Sequence, residues 1–167
     1  MIGRRKRPTL AVAPGERLLA WAEGGPGVVV GGTREALYLI DAGRSEPLRI
    51  PWEQVQAADW DRDTSVLRVS EVGDWGEERP EHRFELDDPR LLLQLVRERV
   101  SASVLIQRRV AVEGRRGLRV IARRASAGER DVAWVFEYDE GIDPADPAVR
   151  RLADEALAAA REEIGLS

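Results

Sequence analysis

Residues 28–60 read VVVGGTREALYLIDAGRSEPLRIPWEQVQAADW, and this stretch decides the fold. Val28–Val30 is a short apolar run, and a tight Gly-Gly-Thr-Arg-Glu connection leads to a second run, Ala36–Ile40. Pro47–Trp52 and Val55–Trp60 follow, with Pro51 bending the chain between them. Short runs rich in β-branched and aromatic residues, separated by glycine and proline, predict strands joined by turns.

Working outward, Leu18, Ala20 and Ala22 alternate with Leu19, Trp21 and Glu23, and Gly24-Gly25-Pro26-Gly27 supplies a turn. Val66–Val72 and His82–Leu86 bring the expected strands to seven, with a polar loop between them that carries Trp75. Asp88 and Pro89 then predict a helix start, with Asp88 as N-cap and Pro89 in the first helical position. Leu92, Leu95, Val96, Arg99 and Val100 fall at helical spacing, so the helix should run to about Ala102. Beyond it, Val104–Val112, Leu118–Arg124 and Val132–Tyr138 predict three strands. A second helix should begin near Asp143 or Asp146. Its apolar positions Val149, Leu152, Ala153, Ala156, Leu157, Ala160 and Ile164 form one face, and Gly165 stops it.

Seven short strands followed by one helix resemble the order of the pleckstrin-homology (PH) superfold, over about residues 15–102. The pair VVVGGTREALYLID and LRIPWEQVQAADWD resembles bacterial PH-like and GRAM-type domains, in which Trp52, Val55 and Trp60 would be core or sheet positions. The fold class expected is therefore α+β. A PH-like seven-stranded β-barrel or sandwich is capped by a helix, then followed by a three-stranded antiparallel sheet and a long C-terminal helix. Residues 1–14, with Arg4, Arg5, Lys6 and Arg7, are expected to be a flexible basic arm, and 103–167 to pack with 15–102 as one unit. The resemblance implies binding of lipid head groups or peptides, or scaffolding, and a superfold does not choose among them. PH domains that bind phosphoinositides carry basic residues around the loop between their first two strands. Residues 24–27 here have no lysine or arginine, so phosphoinositide or membrane binding by that route is not expected.

Composition narrows the chemistry further. There is no cysteine, which excludes disulfides, thiolate metal ligands and a cysteine nucleophile. No apolar run approaches the roughly 20 residues that span a bilayer, and Pro8–Pro14 is too short and broken for a signal sequence. A cytosolic location is expected. Lys6 is the only lysine, so no Walker A loop exists, and no G-x-S-x-G is present. His82 is the only histidine and has no second imidazole to join it in catalysis or metal binding. Asp59, Asp61 and Asp63 are spaced like the start of an EF-hand loop. Thr64 occupies the glycine position and Ser70 the bidentate glutamate position, so a polar hairpin turn is the better reading. No catalytic residue, metal or cofactor is expected.

Charge is abundant, at 34 % of residues, but nearly balanced, with a formal net of −4. The local exception is the hairpin that carries Arg108, Arg109, Arg115, Arg116, Arg119, Arg123 and Arg124. Arg119 and Arg123 share one face of an extended strand. The hairpin could present arginines to an anionic partner, or be neutralised by the acidic residues between Glu137 and Ser167. Helix, three strands and helix is also the order of a double-stranded-RNA-binding domain, but Asp143 and Asp146 at the start of the last helix would repel phosphates. The leading expectation is a non-enzymatic module that binds a protein partner, with Trp75 and the arginine hairpin as contact surfaces. The alternative is a nucleic-acid-associated protein using residues 108–124 and the basic arm. Self-association is compatible with either.

Overall fold

The computed structural model describes residues 8–72, 80–124 and 132–165. Among these residues the fold is α+β, with three antiparallel sheets and two helices, and the chain divides into two compact units, residues 1–101 and 102–167.

In the first unit, β1 (Ala20–Glu23), β2 (Val29–Gly32), β3 (Ala36–Ile40) and β4 (Leu48–Pro51) form one sheet in sequence order. After a 3-10 turn at Trp52–Gln54, β5 (Val55–Asp61), β6 (Val66–Glu71) and β7 (Glu81–Glu85) form a second. The strands thus hydrogen-bond as separate sheets of four and three, with an isolated bridge between Glu23 and Asp87. Register places Ala22, Val30, Leu39 and Leu48 side by side, then Ala20, Gly32, Leu37 and Ile50, and these two rows line the core. Trp60, Leu67 and Phe84 form the facing row of the second sheet. Helix α1 (Arg90–Ser103) adds Leu92, Leu95 and Val96. Trp52 is fully buried in this core and its indole N–H donates to the Thr33 carbonyl at 2.9 Å. A Cβ on Gly32 would meet Leu95 and Trp52, so only glycine lets that side chain pair approach the sheet.

α1 begins one residue later than expected. The Pro89 carbonyl accepts from the Leu93 N–H, and Asp88 lies outside the helix at φ 42°, in the left-handed region and not in the extended conformation of an N-cap.

The N-terminal segment is also anchored further back than expected. From Leu10 onward the chain straps across the outer face of the first sheet. The Ala13 N–H donates to the Tyr38 hydroxyl, and the Glu16 carboxylate accepts from Thr33, Tyr38 and Arg49. The free arm expected over residues 1–14 therefore does not extend through 10–14, and residues 1–7 lie outside the described residues.

In the second unit, β8 (Val104–Glu113), β9 (Arg116–Arg124) and β10 (Val132–Tyr138) form a sheet with β9 in the middle. Helix α2 (Pro147–Glu163) packs on β8 and β9. Asp146 caps it, with a carboxylate oxygen accepting from the Ala148 N–H at 2.8 Å and Pro147 in the first turn. Val149, Ala153, Ala156 and Ala160 of α2 meet Leu118 and Val120 of β9.

Candidate functional site

The arginine hairpin is the surface the sequence singles out; three of its seven arginines are ion-paired within their own unit and a fourth is buried. Arg108 is 3.2 Å from Glu163 at the end of α2, and Arg109 is 2.7 Å from Asp139. Arg119 lies 3.7 Å from Glu137 and its guanidinium donates to the Gln107 amide oxygen. All three partners lie in the acidic stretch from Glu137 onward, Glu137 and Asp139 in β10 and at its end and Glu163 at the end of α2. Register explains the pairing of Glu137: Arg109, Arg119 and Glu137 lie in one row across the three strands, where opposite charges stabilise a sheet and like charges alone would not. The hydrogen bond from Arg109, then the Gly117 N–H, holds the Asp139 carboxyl below its ordinary range.

Arg123 corrects the expectation most clearly. It does share a face with Arg119, but it is only 4 % exposed and its Nε donates to the Ser103 hydroxyl at 3.0 Å. The end of α1 runs directly into β8, which brings Ser103 beside the residue paired with Arg123. A buried, hydrogen-bonded guanidinium is no contact surface for a partner. Arg115, Arg116 and Arg124 are exposed, with no ion pair to another described residue. They sit at the turn and at the end of β9, too far apart in register to form one patch. Trp75 lies outside the described residues.

The remaining candidates settle as sheet and turn chemistry. His82 pairs with Glu71 across β6 and β7 at 2.8 Å. Asp59 pairs with Arg68, while Asp61 accepts the N–H groups of Asp63 and Thr64, which lower its pKa and close the β5–β6 turn. Among the described residues no cluster of three or more histidine or acidic side chains could hold a metal ion.

The structure exposes a surface that the charge pattern does not indicate. Leu91, in the first turn of α1, is 74 % exposed, and Leu19, at the start of β1, is 49 % exposed. With Trp21, Gln94 and the Asp88–Arg90 ion pair they line a groove of about 640 Å³ in the first unit. Three consecutive leucines, Leu91 to Leu93, turn through about 100° per residue, so they cannot all face the core. That run is the sequence signal for the groove. β1 has one strand neighbour, β2, and its open edge is restricted at one end, where the Glu23 carbonyl accepts from the Asp87 N–H. Side chains, more than unpaired backbone, therefore characterise this groove.

No family model matches the chain, and no curated protein does. Among solved structures, a DUF1696 family protein with a pleckstrin-homology domain from Shewanella loihica is similar at 11 % identity and a TM-score of 0.39. The match covers 53 % of this chain and 85 % of that one. Among the described residues no helix is long and apolar enough to cross a membrane.

Proposed function

We propose that the chain is a non-enzymatic, cytosolic binding module whose partner is a protein, and that the groove between β1 and α1 is its contact site. The PH-like reading of residues 15–102 belongs to the same proposal: two successive antiparallel meanders followed by a helix are consistent with it. The observation that carries the function is the exposure of Leu91 beside Leu19. Leaving two leucines and part of a tryptophan in water at one place costs free energy that burial against a partner would recover, at about 25 cal/mol per Å² of apolar surface. Clustered apolar exposure rimmed by polar residues is the usual mark of a protein contact. The polar rim of Asp88, Arg90 and Gln94 carries charges of both signs, which favours neither a polyanion nor a polycation.

The test is an affinity capture from host lysate at low and high salt, comparing the wild type with Leu91→Glu. Leu91 is largely in solvent, so the variant should keep its fold, as circular dichroism would verify. A protein retained at high salt by the wild type and lost with Leu91→Glu is the expected result. Retention unchanged by the substitution would remove the groove as the site. Nucleic acid that washes off with salt would instead support the arginine hairpin and the basic arm.

A further inference from the structure

The N-terminal strap shows what its own docking face can bind. On the outer face of the first sheet, Trp21, Gly31, Tyr38 and Arg49 form one row across the four strands. Gly31 is a notch in that row. A Cβ there would lie 2.6 Å from Leu18 Cδ1 and 2.7 Å from Leu10 Cδ2, so the two leucine side chains fill the space a larger residue would take. Beside the notch, three donors converge on one carboxylate. The Thr33 hydroxyl accepts from the Glu35 and Ala36 N–H groups and donates to Glu16 Oε1 at 2.7 Å, with the Ala36 carbonyl a longer acceptor at 3.3 Å. The Tyr38 hydroxyl accepts from Ala13 and donates to Glu16 Oε2 at 2.7 Å. Arg49 Nε reaches the same oxygen at 3.1 Å, with its own side chain 40 % exposed at the lip of the site.

The strap is held differently from a strand. Among the described residues, no backbone–backbone hydrogen bond joins residues 8–16 to the sheet; their backbone bonds are local, Leu10 to Pro8 and Glu16 to Ala13. Attachment therefore rests on Leu10, the Ala13 N–H and the Glu16 carboxylate, with Pro14 and Gly15 exposed between the last two. A segment fixed by a few side chains, without a ladder, opens at a lower free energy than the sheet beneath it.

We infer that this outer face is a recognition site for an extended segment that carries an aliphatic side chain and a carboxylate, with residues 10–16 as a resident segment that such a ligand displaces. The face supplies an apolar notch at Gly31 and a donor set of Thr33, Tyr38 and Arg49 that suits a carboxylate and would leave an amide's NH₂ facing donors. The strap thereby acts as an autoinhibitory contact. The site shares Trp21 with the groove of Leu19 and Leu91, but its notch and donor set, at Gly31, Thr33, Tyr38 and Arg49, lie outside that groove.

The test uses the full chain and a fluorescent synthetic peptide with the sequence of residues 8–18, PTLAVAPGERL. Glu16→Ala removes the resident carboxylate and leaves the receiving face intact. Fluorescence anisotropy should show this variant binding the peptide at least about tenfold more tightly than the wild type, since charge-assisted hydrogen bonds are the main hold on the strap. Replacing the peptide's glutamate by glutamine, or adding Arg49→Ala to the protein, should abolish the gain. A folded Glu16→Ala chain that binds no better than the wild type would overturn the inference, as would equal binding of the glutamine peptide. If Glu16→Ala does not fold, hydrogen exchange on the wild type decides. The Ala13 amide should exchange well before the amides of β3, and exchange of both only on global unfolding would refute a releasable strap.

Discussion

Glu16 accepts from three side chains at once, Thr33, Tyr38 and Arg49, and nothing around it in the sequence announces that. Pro14 and Gly15 precede it and Arg17 follows, so locally it reads as a loop residue. Its role depends on Tyr38 and Arg49, paired by register across β3 and β4, and on Thr33 in the turn between β2 and β3, and not on spacing along the chain. Burial pushes its carboxyl upward, but the hydrogen bonds from Thr33, Tyr38 and Arg49, with the Arg49 charge, bring it below the ordinary value of 4.5. Burial raises the Tyr38 hydroxyl pKa, and the adjacent carboxylate adds to that. A carboxyl whose folded pKa is depressed contributes stability that is present above its unfolded value and lost as pH falls through the folded one. Denaturant unfolding at pH 7 should show Glu16→Gln less stable than wild type by about 1 kcal/mol, bounded by the free energy with which the strap docks. The difference should shrink as pH falls from the ordinary carboxylate value of 4.5 through the lowered folded one and the wild-type carboxyl protonates. A gap that stays constant across that range would show that the charge of Glu16 contributes nothing.

At the scale of elements the sequence is far more legible, because periodicity reports burial directly. All seven expected strands before α1 and the three after it appear within a few residues of their predicted bounds. α2 carries its buried face at Val149, Ala153, Ala156 and Ala160 as its spacing implies. The misses occur where an end is set by contacts remote in sequence. Asp88 has the chemistry of an N-cap, yet the bridge that ties Asp87 to Glu23 precedes a left-handed turn at Asp88. Arg123 continues the polar face begun by Arg119, but the helix–strand junction at Ser103 covers it. α2 provides a test at this scale. Its N-terminus rests on the Asp146 carboxylate, so Asp146→Ala should destabilise the second unit by about 1 kcal/mol, while Asp146→Asn or Asp146→Ser should cost much less. Thermal unfolding followed by the α2 amides would check it, and an unchanged midpoint for Asp146→Ala would show that Asp143 or Pro147 suffices to start the helix.

The two units differ in what they bury, and that difference should govern how the whole molecule opens. Of the twelve largest fully buried side chains among the described residues, only Leu118 and Val120 belong to the second unit. Its helix contributes mainly alanines to the core, at 153, 156 and 160, and each alanine removes far less apolar surface from water than the leucines and Trp52 of the first unit. A segment of the length of 102–167 buries only about 60 % of the surface its unfolded chain exposes, which leaves such a unit marginal. The first unit instead closes two sheets over Leu37, Leu39, Ile50, Trp52 and Leu67. Native-state hydrogen exchange should therefore resolve two levels of protection, with the amides of Leu118 and Val120 in β9 opening at lower free energy than those of Leu37 and Leu39 in β3. Trp52→Ala, which empties the largest buried side chain at a cost of about 3–5 kcal/mol, should lower protection in β3 much more than in β9. If instead all four amides share one opening free energy, and Trp52→Ala lowers them equally, the units unfold as a single cooperative body. The two-level expectation would then fail at the scale of the whole chain.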